Sequence, residues 1–330
     1  MSMEVLEKYF NIKADRSIRT RRYTRYVSNG LLYTIVNVTH VEQEVLIELY
    51  EMSEHMAKHS DKKVSRFVAA QEGTYLVTHD NEDFVLLQNQ FHKVKPNRKT
   101  GRQLARFHYR GKQLQSQVEK LNRTGEWKKL WASRLDQMEK AWAGMSQEPP
   151  RDEFDKMFLE SFPYYMGLCE NAIQYVTDTE LDEQPQYSDY RTITHKRFYD
   201  SLWKSEQEIR NPFDWVVDHP SRDLSEWIRD RYFKGSRTCM PDIKKFLYEY
   251  QTLLPISSYA WRLLYARLLF PLHYIECVEE YYSSSSQSVK KELEEKMSGY
   301  LRDTQDYEQF LRVFYDSVGI KKPMPVVEWL

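Results

Sequence analysis

The sequence predicts an α+β fold of two lobes, a small strand-containing one followed by a large, mainly helical one. Three observations carry that expectation. The chain has 330 residues, about twice the usual domain length and room for two packed units. Only 10 of them are Gly, well under the usual share of about 7%, which argues for helix and against glycine-rich phosphate-binding loops. Near Gln90 a mixture of short strands and one helix gives way to almost uninterrupted helical periodicity, dividing residues 1–90 from 91–330.

In the first lobe, Leu31–Val38 (LLYTIVNV) is rich in β-branched residues and follows the turn Ser28-Asn29-Gly30, so it reads as the second strand of a hairpin. Glu44–His59 sets Val45, Leu49, Met52 and Met56 at steps of four, three and four, the stripe of an amphipathic helix. Arg66–Ala70, Thr74–Thr78 and Asp83–Gln88 read as short strands separated by Glu72-Gly73 and Asp80-Asn81. Pro96-Asn97 then breaks the chain. Leu104 to Leu121 and Trp127 to Trp142 repeat every three or four residues as two helices, and Phe154–Val176 makes a third before an acidic loop, Thr177–Tyr190. Short strands are expected at Arg191–His195 and Phe213–Asp218, after the charged loop Lys204–Asn211. Helices follow at Leu224–Arg231, Lys244–Leu254, Tyr259–Tyr282 and Val289–Val318, the last after a flexible serine-rich linker, Ser283–Ser288.

Charge and cysteine content exclude several function classes. The 48 basic and 49 acidic side chains nearly cancel, so nucleic-acid binding through overall charge is not expected. Their distribution is uneven: eight Lys or Arg and no acid lie between Phe84 and Val118, and eleven acids face two bases from Ser146 to Tyr190. Cys169, Cys239 and Cys277 are far apart, with neither zinc-ribbon nor disulfide spacing, which fits a reducing compartment. Met1–Arg16 is charged throughout, and the most apolar later stretch contains Arg262 and Arg267, so neither a signal peptide nor a membrane span is expected.

Several short motifs carry a resemblance. Leu104-Ala105-Arg106-Phe107-His108 resembles the LA-x-FH helix of the aminoglycoside phosphotransferase and choline kinase group, which is protein-kinase-like, and Thr194-His195 resembles the start of its H-G-D-x-x-x-x-N catalytic loop. Asp218, at the end of FDWVVD and followed by Arg222-Asp223-Leu224, resembles that group's metal-binding Asp and its next helix start. Within the group the sequence is most similar to spore coat proteins of the YutH and CotS kind, from roughly Tyr23 to Phe314. The resemblance implies a kinase-like fold and a place in the spore coat, with synthesis in the mother-cell cytoplasm, other coat proteins as partners and room for a second copy of the chain.

The catalytic positions depart from that pattern. Where the group has the Asp that takes the substrate's proton, this chain has Arg197, within His195-Lys196-Arg197, and a guanidinium cannot deprotonate near neutral pH. Where the Asn ligand of a second Mg²⁺ belongs stands Leu202, which has no ligand atom. Asp200 is a displaced carboxylate, several ångströms along the chain at about 3.3 Å per extended residue. Leu31–Val38 has no phosphate-grasping Lys, and Asn37 is its nearest polar candidate. Asp218 is the remaining candidate metal ligand; Asp223 reads as a cap for the helix from Leu224, and His108 as a core histidine. No catalytic residue, cofactor or metal is expected.

Two basic groups are candidates for partner binding: Arg19, Arg21 and Arg22, in place of a glycine-rich cover loop, and Arg102, Arg106 and Arg110, in one row on a helix. The acidic stretch 146–190 is a candidate counterpart, within the molecule or from another copy. His55 and His59, four apart, share a helix face without a third ligand at matching spacing. The expectation is therefore a kinase-like protein that has lost phosphotransferase chemistry and serves the coat structurally. The alternatives are a small-molecule phosphotransferase using a displaced carboxylate and a polyanion-binding module.

Overall fold

The computed structural model describes residues 2–19, 23–90, 99–203, 209–235 and 238–329. Two compact units emerge from its packing: residues 1–122 with 191–219, and residues 123–190 with 220–330. This grouping by packing is distinct from the division near residue 90 read from periodicity.

The first unit opens with helix α1 (Ser2–Phe10), unanticipated from sequence, and is built on an antiparallel sheet. Its strands are β1 (Arg16–Arg19), β2 (Thr24–Ser28), β3 (Leu31–Asn37), β4 (Arg66–Val68), β5 (Leu76–His79) and β6 (Glu82–Gln90), in the order β1-β2-β3-β6-β4 with β5 also on β6. The turn Asn29-Gly30 has φ of 50° and 72°, and Asp80-Asn81 has 51° and 63°; paired positive φ values twist a two-residue turn to suit the flanking strands. Side chains alternate across β3 and β6. Tyr33, Ile35, Phe84 and Leu86 pack with Val5, Leu6 and Phe10 of α1, while Val36, Val38, Val85 and Leu87 form a second core with Leu46 and Phe213. Burial on both faces explains why these two strands read as unbroken apolar runs.

Helix α2 (Gln43–Lys58) buries the expected Leu49, Met52 and Met56. Helix α3 (Thr100–Gly111) is shorter than its periodicity predicts, because the chain leaves the helix at Gly111 and Val118 and Leu121 are buried from irregular backbone. Gly111 is where α3 meets the hairpin of β7 (Thr192–His195) and β8 (Trp215–Asp218). A Cβ there would lie 2.5 Å from Thr192 Oγ1 and 2.7 Å from the Ile193 backbone nitrogen. Gly111→Ala is therefore expected to cost about 1–3 kcal/mol through overpacking, despite alanine's better helix propensity; a chemical melt of the variant measures it, and an unchanged midpoint would contradict this close approach.

The second unit is helical: α4 (Trp127–Met145), α5 (Glu153–Asp182), α6 (Ser221–Lys234), α7 (Cys239–Gln251), α8 (Ser258–Leu269), α9 (Leu272–Ser283), α10 (Gln287–Arg302), α11 (Thr304–Arg312) and α12 (Phe314–Ser317). Every residue of α8 from Ala260 to Leu269 is buried, so this helix forms the centre of the unit. The single helix expected over Tyr259–Tyr282 is two, separated at Phe270-Pro271, where proline cannot donate the helical hydrogen bond. Helix α5 runs through half of the expected acidic loop because its acids find bases. Glu180 meets Lys128, Asp182 meets Arg262 at 2.9 Å, and Glu183 meets Lys322 at 2.8 Å.

His273 of α9 lies among Phe233, Tyr300 and Tyr307 at ring separations of 4.4–5.3 Å, with a buried Nδ1 that has no hydrogen-bond partner. Burial, with help from Arg229, holds its pKa well below the ordinary 6.5. A folded-state pKa below the unfolded one means that folding releases protons, so this contribution is complete above about pH 6.5 and is lost as the pH falls below it. His273→Phe should thus flatten the fall in stability between about pH 7.5 and 5.5; identical slopes for the two proteins would remove His273 as its source.

Candidate functional site

The residues singled out by sequence converge on α3 and the β7–β8 hairpin. Thr192 Oγ1 donates to the His108 carbonyl at 2.7 Å, tying the hairpin to the helix. The register sets Thr192 opposite Asp218 and His195 opposite Trp215. His195 is buried, with its ring stacked on Phe107 at 4.9 Å and edge-on to Trp203 at 5.3 Å. His108 is also fully buried.

Arg197 follows the strand end, half-buried, with one Nη donating to the Lys196 carbonyl at 3.1 Å. Leu202 closes a 3-10 turn that Asp200 opens, its N–H donating to the Tyr199 carbonyl at 3.0 Å. The position five residues beyond Arg197 therefore presents a hydrocarbon side chain. Asp218 is fully buried, and its Oδ1 accepts from the His219 N–H at 2.7 Å.

Asn37, the nearest polar group on β3, is exposed and already engaged: its Oδ1 accepts from the N–H and the hydroxyl of Thr39 at 3.0 and 2.8 Å, closing the turn into α2. Asp223 is not the cap of its helix. Helix α6 begins at Ser221, which places Asp223 in the first turn, where a carboxylate favours the helix dipole. The expected basic row on α3 is incomplete as well: Arg102 and Arg106 are exposed, but Arg110 turns to Asp61 at 3.2 Å. Arg19 is exposed on the outer strand β1, and Arg21 and Arg22 lie outside the described residues. The acids of 146–190 named above find their partners within their own unit rather than in the α3 row.

Sequence reasoning missed Glu48. It sits on the buried stripe of α2, three residues after Val45 and four before Met52, and that placement was its signal. Its Oε1 accepts the backbone N–H groups of Glu119 and Lys120 at 2.7 and 2.8 Å, and its Oε2 accepts that of Leu121 at 2.8 Å. The Leu121 carbonyl in turn accepts from Val217 on β8 at 2.9 Å. In active protein kinases the carboxylate on the equivalent helix pairs with the phosphate-binding lysine. Here β3 has no lysine, and the carboxylate staples backbone instead.

The rings of His55 and His59 lie 4.1 Å apart, tilted by 34°, in a cleft of about 830 Å³ that also includes Lys58 and Lys112. His55 Nε2 donates to the Arg110 carbonyl and His59 Nδ1 to the His55 carbonyl, each at 2.8 Å. Burial lowers the His55 pKa. Among the described residues, no group of three or more His, Cys, Asp or Glu is placed to hold a metal ion, and no helix is long and apolar enough to cross a membrane.

Residues 3–314 match the family model described as "Spore coat putative kinase YutH". The chain belongs to that family. Its likeness to the endospore coat-associated protein YutH of Bacillus subtilis (strain 168) is 40% identity over 334 residues, covering 99% of this chain and 97% of the relative. Solved structures share this chain's fold at low identity. An aminoglycoside phosphotransferase from Alicyclobacillus acidocaldarius aligns with a TM-score of 0.63 at 13% identity, over 92% of both chains. A spectinomycin phosphotransferase in complex with ADP and spectinomycin aligns at 0.58 and 11% identity, over 96% of this chain and 97% of that one. The protein-kinase-like fold expected from the motifs is the fold observed.

Proposed function

We propose that this YutH-family chain uses a kinase fold without phosphoryl transfer and serves as a structural or assembly component of the endospore coat, with other coat proteins as its partners. The observation that carries the reading is the pair Arg197 and Leu202. One puts a permanently protonated side chain where a proton acceptor is required, and the other puts hydrocarbon where a metal ligand is required. The absence of lysine from β3 and the engagement of Glu48 with backbone support it, because phosphoryl transfer depends almost entirely on positioning and neutralising phosphate charge. The coat association of the relative with 40% identity supports the location. Asp218 alone, without those partners, is a poor Mg²⁺-nucleotide site.

Titration calorimetry with ATP, with and without Mg²⁺, tests the reading. The expected result is no Mg²⁺-dependent saturation at micromolar nucleotide. Micromolar binding that is abolished by Asp218→Ala, together with transfer of phosphate to a small acceptor that is lost in Asp200→Asn, would instead establish a phosphotransferase built on a displaced carboxylate.

A further inference from the structure

Residues 320–329 form neither helix nor strand, yet they lie along the second unit at three anchor points. Lys322 Nζ donates to Glu183 Oε1 at 2.8 Å and to Ser258 Oγ at 3.1 Å. The Pro325 carbonyl accepts from the buried Tyr175 hydroxyl at 2.6 Å. The Trp329 ring stands edge-on to Tyr164 with ring centres 6.1 Å apart.

As the segment advances from 322 to 325 to 329, its anchors on and just past α5 recede from 183 to 175 to 164, so it runs antiparallel to that helix. Glu183 and Tyr164 are separated by about 28 Å of helix rise, and Lys322 and Trp329 by about 24 Å of fully extended chain, with side chains supplying the difference. The segment is drawn out almost straight, a form that Pro323 and Pro325 favour.

Its hold is light. Lys321, Lys322, Pro323, Pro325, Val326 and Trp329 are exposed, and Met324 and Val327 are only half-buried. Gly319, with φ of 79°, turns the chain out of α12, its N–H donating to the Asp316 carbonyl at 3.0 Å and that of Ile320 to the Tyr315 carbonyl at 3.1 Å. The family match ends at residue 314, before this turn.

We infer that the side of α5 and α8 between Glu183 and Tyr164 is a peptide-binding face, filled in each molecule by its own residues 320–329, and that two copies exchange these segments to join one molecule to the next. An element that is extended and lightly held is the kind exchanged between identical subunits at little cost, since the same contacts form in both arrangements. The occupant is therefore a second copy of this chain, and the chemistry recognised is a lysine, a proline carbonyl and an aromatic ring along one extended strand. The exchange is separate from the catalytic reading and holds whether or not the chain binds nucleotide.

A chain ending at Val318, titrated with a fluorescent peptide of residues 318–329, is expected to bind it saturably. The full chain should bind it at least tenfold more weakly because its own segment competes. A peptide carrying Lys322→Glu should bind about two- to fivefold more weakly, the worth of one half-exposed ion pair. Light scattering should show a concentration-dependent dimer for the full chain and not for the shortened one. Failure of the peptide to bind a folded shortened chain overturns the peptide-binding face; binding without dimers at any concentration overturns the exchange. Should the shortened chain not fold, full chains carrying Lys322→Glu and Glu183→Lys decide the matter. Each mismatches its own anchor and matches the other's, so mixing them should raise the dimer fraction above that of either alone, and no rise on mixing counts against exchange.

Discussion

Glu48→Ala is expected to lower the stability of the chain by about 3–5 kcal/mol, the range found when one side of a buried charged interaction is removed. The carboxylate accepts three successive backbone N–H groups, those of Glu119, Lys120 and Leu121, at 2.7–2.8 Å. Hydrogen bonds to a charged acceptor contribute more than neutral ones, about 1.5–3 kcal/mol each, and donors left without a partner add a desolvation cost. The total falls short of the sum because water reaches part of the vacated space. In urea the midpoint should drop with an unchanged slope. Glu48→Gln, which keeps one carbonyl oxygen as acceptor and sets an amide against the remaining donors, should recover part of the loss. The effect should also spread: the Leu121 carbonyl receives the Val217 N–H, so amide exchange at Val217, next to Asp218, should quicken in the alanine variant. A loss under about 1 kcal/mol would mean that residues 119–121 are held by something other than this carboxylate.

The same residue explains how a carboxylate is accommodated on the buried stripe of α2. A buried carboxylate without hydrogen-bond partners would be costly. In this chain three backbone N–H groups satisfy the carboxylate, and β3 carries no lysine.

Much of this was legible in the sequence where local chemistry decides the structure. Asn29-Gly30 and Asp80-Asn81 announced their turns because few residues accept positive φ, and the β-branched and apolar runs at Leu31–Val38 and Asp83–Gln88 announced the strands β3 and β6. The motifs around Phe107, His195 and Asp218 lie on one helix and one hairpin, as their resemblance implied. What could not be read was set by distant partners. Leu114, Val118 and Leu121 continue a helical spacing after the helix has ended, since burial depends on what covers a residue and not on its backbone form. The acids after Thr177 look like a solvated loop until Lys128, Arg262 and Lys322 are placed beside them. Arg110 looked like part of an exposed row until Asp61 drew it inward. Glu48, one of several glutamates on its helix, differs from the others chiefly in lying on the apolar stripe.

The second large effect is expected at Asp61, where one carboxylate faces two guanidinium groups. Its Oδ2 accepts from Arg210 and, at 3.2 Å, from Arg110, while its Oδ1 accepts from the Lys63 N–H at 3.2 Å. Arg210 is buried, its guanidinium lies over Trp203 at 4.4 Å and Phe107 at 5.5 Å, and its backbone exchanges hydrogen bonds with Lys63 and Ser65. These contacts fasten the chain that re-enters after the degenerate loop to the end of α2. Burial pulls the Arg210 pKa down and Asp61 pulls it back up, so the carboxylate is what makes this buried cation tolerable. Asp61→Ala should cost about 3–5 kcal/mol, because it strands a desolvated charge beside a second cation. Arg210→Met should cost less, since Asp61 keeps Arg110, and Arg110→Met least, because that side chain is 26% exposed. Adding Arg210→Met to Asp61→Ala should then restore stability relative to Asp61→Ala alone, with a coupling of about 1–3 kcal/mol in the double-mutant cycle. Strictly additive losses would show that the aromatic seat of Arg210, and not its ion pair, holds the insert in place.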